Sequence, residues 1–207
     1  MDILKRGVSS LVIFLFAIST SITTVIFTSP FVYSLCIGWF NLSSISGLTQ
    51  EQLMINYEAI LKYLINPTIH ELNMPYFSMS QGGAQHFDEV KVLFFVNFII
   101  FVILLLLTIC AIVLIKKNNW QILMVPHFTF KLSFPLIFLF FIVIAFDRVF
   151  IIFHQLLFNN DLWLFNPLED PVITVLPQEF FMLLFIIVLL AYEAVVLAIR
   201  KIIYWRK

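Results

Sequence analysis

Four apolar runs constrain this chain more than any other feature, because each is long enough for a helix to cross a bilayer, which takes about 20 residues. They cover about Val8 to Tyr33, about Val92 to Ile115, about Ser133 to Phe158 and about Phe180 to Ile199. The composition around them is 62% hydrophobic and 12% charged, whereas a soluble domain is about half apolar and a quarter charged. That balance is not one of a soluble globular fold. Nor does it suit disorder, collagen or a coiled coil, which need polar, Gly-periodic or charged sequence. A total of 25 Phe against 5 Gly points to membrane spans. The zero formal net charge leaves no clustered basic face for nucleic acid. The expected fold class is an all-α membrane protein with four transmembrane helices, in one integral membrane domain over 1–207.

The charges predict orientation, since cytoplasmic loops carry the excess of Lys and Arg. Lys5, Arg6, Lys116, Lys117, Lys131, Arg200, Lys201, Arg206 and Lys207 flank one side of the spans. Lys62 and Lys91 are the only basic residues on the other side, which holds most of the acids: Glu51, Glu58, Glu71, Asp88, Glu89, Asp161, Glu169, Asp170 and Glu179. Both termini are therefore expected in the cytoplasm, with about 34–91 and about 159–179 facing outward. Trp39 and Trp163 then fall at the outer boundary, and Trp120 and Trp205 at the inner one, as an aromatic belt requires. The first run is too long for a secretory h-region and lacks a small-residue cleavage signal. In Tyr33-Ser34-Leu35-Cys36, Leu35 is too large for a lipobox, so the run reads as an uncleaved helix. Cys36 and Cys110 should lie near opposite faces of the bilayer, too far apart for a disulfide.

The outer segment 34–91 is the one part large enough for a separate layer. Within it, Thr49 to Ile65 reads as an amphipathic helix. Thr49 with Gln52 makes a capping box, and Leu53, Tyr57, Ile60, Leu61 and Leu64 form an apolar stripe. Asn66-Pro67 ends it. Such a helix lies on the membrane surface or caps the bundle. Pro75 to Gln85, with Pro, Ser and two adjacent glycines, is expected to be irregular.

Ionisable residues inside a span cost a few kcal/mol on insertion scales and need a reason. The third run carries Asp147, Arg148 and His154. Running outward from Lys131, it puts Asp147 and Arg148 near mid-membrane and His154 about one turn below the outer surface. Asp147 and His154, seven residues apart, share a face about 10 Å apart along the axis, so a polar stripe should face the bundle interior. Asp147 and Arg148 could neutralise each other, or Arg148 could reach Glu193 on the fourth helix. Asn97 and Glu193 read as mostly structural. His86 stands just outside the second span, after Gly82-Gly83, where a backbone turns sharply or approaches a ligand closely. The topology puts His86, His154, Asp88 and Asp161 at one depth. Two histidines with carboxylates fit general acid–base catalysis, a metal site, or a structural polar cluster. His70, in an open loop, and His127, on the cytoplasmic side, stand apart from this group. The sequence contains no Gly-x-Ser-x-Gly, no His-Glu-x-x-His and no phosphate-binding glycine loop. No internal repeat or broken helix pair marks a transporter.

Three stretches of the second half carry a resemblance: Phe146-Asp147-Arg148-Val149-Phe150-Ile151-Ile152-Phe153-His154-Gln155, Asn160-Asp161-Leu162-Trp163-Leu164-Phe165-Asn166-Pro167 and Leu176-Pro177-Gln178-Glu179-Phe180-Phe181. Ser80-Gln81-Gly82-Gly83-Ala84-Gln85-His86-Phe87-Asp88-Glu89-Val90-Lys91 joins them. Together they resemble the lipoprotein intramolecular transacylase family of bacterial membrane proteins. The resemblance implies a four-helix bundle topped by a small extracytoplasmic cap from the long first outer loop. It also implies a diacylglyceryl-modified lipoprotein as substrate, with membrane lipid around it, and transfer of an acyl chain from the glyceryl sn-2 ester to the α-amino group of the N-terminal cysteine. His86 and His154 match the family's catalytic pair. Asp88, Asp147, Arg148, Asn160 and Asp161 are the expected supporting residues. Two acids, Asp88 and Glu89, follow His86 where a more compact Asp-Val-Lys is expected, so which of them supports the histidine is open. No cofactor, metal or nucleic acid is expected. The competing readings are a metal-dependent membrane hydrolase and a non-enzymatic scaffold with the polar stripe as helix glue.

Overall fold

A computed structural model describes residues 2–205 of the chain. The regular structure of the described residues is all helix, with no strand: α1 (Asp2–Trp39), α2 (Leu42–Ser46), α3 (Gln50–Ile65), α4 (Gln81–Lys117), α5 (Val125–Leu157) and α6 (Gln178–Tyr204). Short 3-10 turns occupy Ile122–Met124 and Pro171–Val175. α1, α4, α5 and α6 are long and apolar enough to cross a membrane. They contain the first, second and fourth expected runs and extend beyond them, and α5 holds the third as far as Leu157. A long apolar segment in lipid has to satisfy its own backbone, which a helix does. Even Pro30 inside α1 obeys this rule. It leaves the Ile26 carbonyl without its usual N–H donor, and the Ser29 hydroxyl donates to that carbonyl at 2.9 Å.

The capping box opens α3 as expected: Gln52 N–H donates to Thr49 Oγ1 at 3.2 Å, and Thr49 N–H to Gln52 Oε1 at 2.9 Å. Leu53, Tyr57, Ile60 and Leu64 are buried, and Leu61 is half-buried. Asn66 ends the helix. Two departures from expectation stand out. The stretch 75–85 is irregular only up to Ser80, and Gly82 and Gly83 lie in the first turn of α4. α5 is interrupted at Ala145, whose φ of −140° and ψ of 42° are not helical.

The contacts divide the chain into two compact units. One comprises Met1–Val25, Asn97–Ile144 and Ile186–Lys207. Its core gathers Ile13, Ala17, Ile115, Met124, Phe128, Tyr192 and Val196. Asn97 is a polar tie there: its Nδ2 donates to Thr23 Oγ1 at 2.9 Å, and its Oδ1 accepts from Ser19 Oγ at 2.9 Å. The other unit comprises Ile26–Val96 and Ala145–Phe185. Tyr33, Tyr57 and Phe180 form its aromatic centre, with Tyr33 stacked on Tyr57 at 4.3 Å and both rings edge-on to Phe180. Asn56, buried on α3, accepts from Tyr76 N–H at 3.1 Å and so pins the loop that leads to α4. Cys36 and Cys110 are both free.

Candidate active site

The start of α4 is built around Asp170. Ser80 caps the helix, its Oγ accepting from Gly83 N–H at 2.9 Å. Asp170, only 3% exposed, accepts from Ser80 N–H at 2.7 Å and from Ser80 Oγ at 2.8 Å. An acid suits this place, because helix N-termini present free N–H groups and a partial positive charge. Gly83 makes the contact sterically feasible: a Cβ there would lie 2.5 Å from Asp170 Oδ1. The glycine thus serves close approach rather than a turn.

This arrangement sets His86 one turn into α4, buried, with its ring against Phe158 at 4.8 Å and Phe165 at 5.5 Å. The His154 ring lies 6.0 Å from it, centroid to centroid. His154 is stacked on Trp163 at 4.7 Å and packed against Phe150 at 4.2 Å. Trp163 is held by its own Nε1–H, which donates to the Asn160 carbonyl at 3.1 Å. The two nitrogens whose surroundings are defined differ. His154 Nδ1 lies 2.8 Å from the Phe150 carbonyl. A carbonyl only accepts, so Nδ1 carries the hydrogen, and the neutral ring keeps its lone pair at Nε2. His86 Nδ1 is buried without a hydrogen-bond partner among the described residues, and buried polar atoms rarely go unpaired.

Of the two acids after His86, Glu89 joins this cluster and Asp88 turns away. Asn160 Nδ2 donates to Glu89 Oε1 at 2.9 Å, and Gln85 Nε2 approaches the same oxygen at 3.4 Å. Glu89 Oε2 is buried with no hydrogen-bond partner among the described residues. It borders a groove of about 330 Å³ whose walls include Val92, Leu93, Leu157 and Phe158. Asp88 instead accepts from the Tyr63 hydroxyl on α3, and the Lys91 ammonium sits 4.1 Å over the Tyr63 ring. Burial, with the Asp88 carboxylate adding to it, pushes the Tyr63 hydroxyl up to about 12, so it stays a donor.

The remaining expected residues lie elsewhere. Asp161 is exposed, and Asp170, not singled out from sequence, is the buried acid of that loop. The interior polar stripe of α5 does not form. Asp147 and Arg148 are exposed, and they make no ion pair with each other. Asp147 Oδ1 accepts from Gln178 Nε2 at 3.0 Å, beside the start of α6 rather than halfway along it. No group of three or more His, Cys, Asp or Glu able to hold a metal occurs among the described residues.

Comparison with known proteins places this geometry. The family model described as lipoprotein intramolecular transacylase Lit matches residues 8–181. No curated protein sequence matches the chain. A solved structure of the membrane integral lipoprotein intramolecular transacylase Lit from Bacillus cereus is similar at 26% identity and a TM-score of 0.89, covering 96% of this chain and 92% of that one. Two further structures of the Bacillus cereus protein, one with a histidine-to-arginine and one with a histidine-to-alanine substitution, each align at 25% identity and a TM-score of 0.84. Both cover 98% of this chain, and 90% and 92% of their own. With the family pattern running from the first membrane helix into the last, and with the backbone of a solved member reproduced around it, the chain belongs to the lipoprotein intramolecular transacylase family of integral membrane acyltransferases.

Proposed function

We propose that this protein moves an acyl chain from the sn-2 ester of a diacylglyceryl-modified lipoprotein to the α-amino group of its N-terminal cysteine, with His86 and His154 as the catalytic pair. The observation that carries this reading is the facing pair of imidazoles in an aromatic enclosure, one ring with an unpaired buried nitrogen and the other with its tautomer fixed by a backbone carbonyl. In the reaction the amine nitrogen attacks the ester carbonyl, a C–N bond forms, and the C–O bond to the glycerol breaks. The proton lost by nitrogen ends on the glycerol oxygen. Nothing is added or released, so neither water nor an acyl-enzyme is required. One histidine removes the amine proton, and the other delivers a proton to the leaving oxygen. Donor and acceptor belong to one molecule, so the enzyme acts mainly by orientation, which can lower a barrier by about 7–11 kcal/mol.

Glu89 completes the assignment. Its free oxygen beside the groove accepts the cationic α-ammonium before deprotonation, and Asn160 holds its other oxygen. The groove walls suit an acyl chain. The segment 34–91 serves as an extracytoplasmic cap, both termini lie in the cytoplasm, and the reaction takes place at the outer leaflet, where lipoprotein lipids reside. Separate His86→Ala and His154→Ala variants, reconstituted with a diacylated lipopeptide, are each expected to lose at least about 100-fold in transfer rate. Near-normal transfer by either variant would sink the pair. Loss of activity with a chelator and its return with zinc would favour a metal hydrolase instead.

A further inference from the structure

The buried lysine of the other unit has no carboxylate partner among the described residues. Lys131 on α5 is 3% exposed. Its Nζ donates to Ser10 Oγ at 2.5 Å and to the His127 carbonyl at 3.4 Å, and lies 5.9 Å from the Phe128 ring centroid. No carboxylate among the described residues pairs with it. Both of its acceptors are neutral. A buried ammonium without an anion is costly, and Lys and Arg are tolerated in membrane helices when paired or when they reach a polar boundary.

A groove of about 330 Å³ runs beside this lysine. Lys131, Ser10 and His127 contribute to its lining. The walls are apolar, formed by Leu11, Phe14 and Phe130. Leu11 is 56% and Phe130 66% exposed, so the groove opens outward from the unit, where lipid would meet it. Gly7 forms part of the lining, and a Cβ there would touch nothing within 4 Å. Lys5 and Arg6 precede the groove on α1. A cationic, hydrogen-bonding head and an aliphatic and aromatic trough match a molecule with an anionic head and an acyl tail.

We propose that this groove is a binding site for an anionic phospholipid, its phosphodiester on Lys131 and Ser10 and an acyl chain along Leu11, Phe14 and Phe130. Basic pockets between membrane helices recognise such headgroups by charge and hydrogen bonding. The site is separate from His86 and His154 and does not depend on the reading of their chemistry.

The test is thermal unfolding of the full chain, followed by tryptophan fluorescence in a neutral detergent. Phosphatidylglycerol, phosphatidylcholine or inorganic phosphate is added at matched concentration. Phosphatidylglycerol is expected to raise the melting temperature by about 3 °C or more, as a ligand of the folded state does, with little effect from the other two. Lys131→Met should abolish that increment. Because this variant alters a buried site, Gly7→Leu provides the second arm. It fills the groove from open space, and should keep the detergent-only melting temperature while losing the phosphatidylglycerol increment. Equal shifts with phosphatidylcholine would overturn the proposal, as would a shift with phosphate alone equal to that with the lipid. So would a Gly7→Leu variant that folds and keeps the full increment.

Discussion

Gly82 and Gly83 are neighbours in one helical turn and answer to different constraints. A Cβ at position 83 would run into the Asp170 carboxylate at 2.5 Å, whereas one at position 82 would first meet Leu162 at 3.4 Å, an ordinary contact. Gly83→Ala is therefore expected to cost about 1–3 kcal/mol by overpacking, seen as a lower melting temperature. Gly82→Ala should be near neutral, and equal losses in the two would refute this account of Gly83. Glu89→Gln keeps the shape and the bond to Asn160 but removes the charge. It should lower kcat/KM at least about tenfold, since a charged hydrogen bond is worth about 1.5–3 kcal/mol, while Asp161→Asn should leave kcat/KM unchanged. The sequence puts His86 and His154 at one depth, and the structure brings their rings 6.0 Å apart, centroid to centroid. The sequence leaves the choice between Asp88 and Glu89 open and does not single out Asp170. Nothing in local spacing tells a buried acid from an exposed one, and the partner of Asp170 is 90 residues away in the chain.

At the scale of elements, legibility followed local chemistry. The four spans, the Thr49–Gln52 box and the stop at Asn66 were all readable, because length, capping and proline act within a few residues. Thr49→Ala should lower stability by about 1 kcal/mol, measurable by thermal unfolding, with less effect from the exposed change Glu58→Ala. The break at Ala145 had no signal, since alanine is a strong helix former and the chain there carries neither Gly nor Pro. The spacing of Asp147 and His154 predicts a shared inward face, but His154 packs among the rings while Asp147 and Arg148 are exposed. The helical start of α4 was missed for a similar reason. Two glycines argue against helix by propensity, and the Ser80 cap with Asp170 overrides them.

For the whole molecule, the sequence chemistry predicts an orientation as well as a fold class. Nine basic residues flank one side of the spans and two the other, which predicts the topology in intact cells. With Cys36 and Cys110 replaced by serine, single cysteines at Lys62 or Asp161 should react with a membrane-impermeant maleimide, and one at Lys117 should react only after lysis. The reverse pattern would invert the protein and put the histidine pair at the wrong leaflet for a lipoprotein substrate. The reaction itself is tested most directly by tandem mass spectrometry of one lipoprotein's N-terminal lipopeptide. The peptide is made with and without this protein in a host lacking N-acylation. The account predicts an unchanged two-chain mass with one acyl group moved from glycerol to the cysteine nitrogen. Loss of an acyl group, or an unmodified peptide beside folded protein in the membrane, would contradict it.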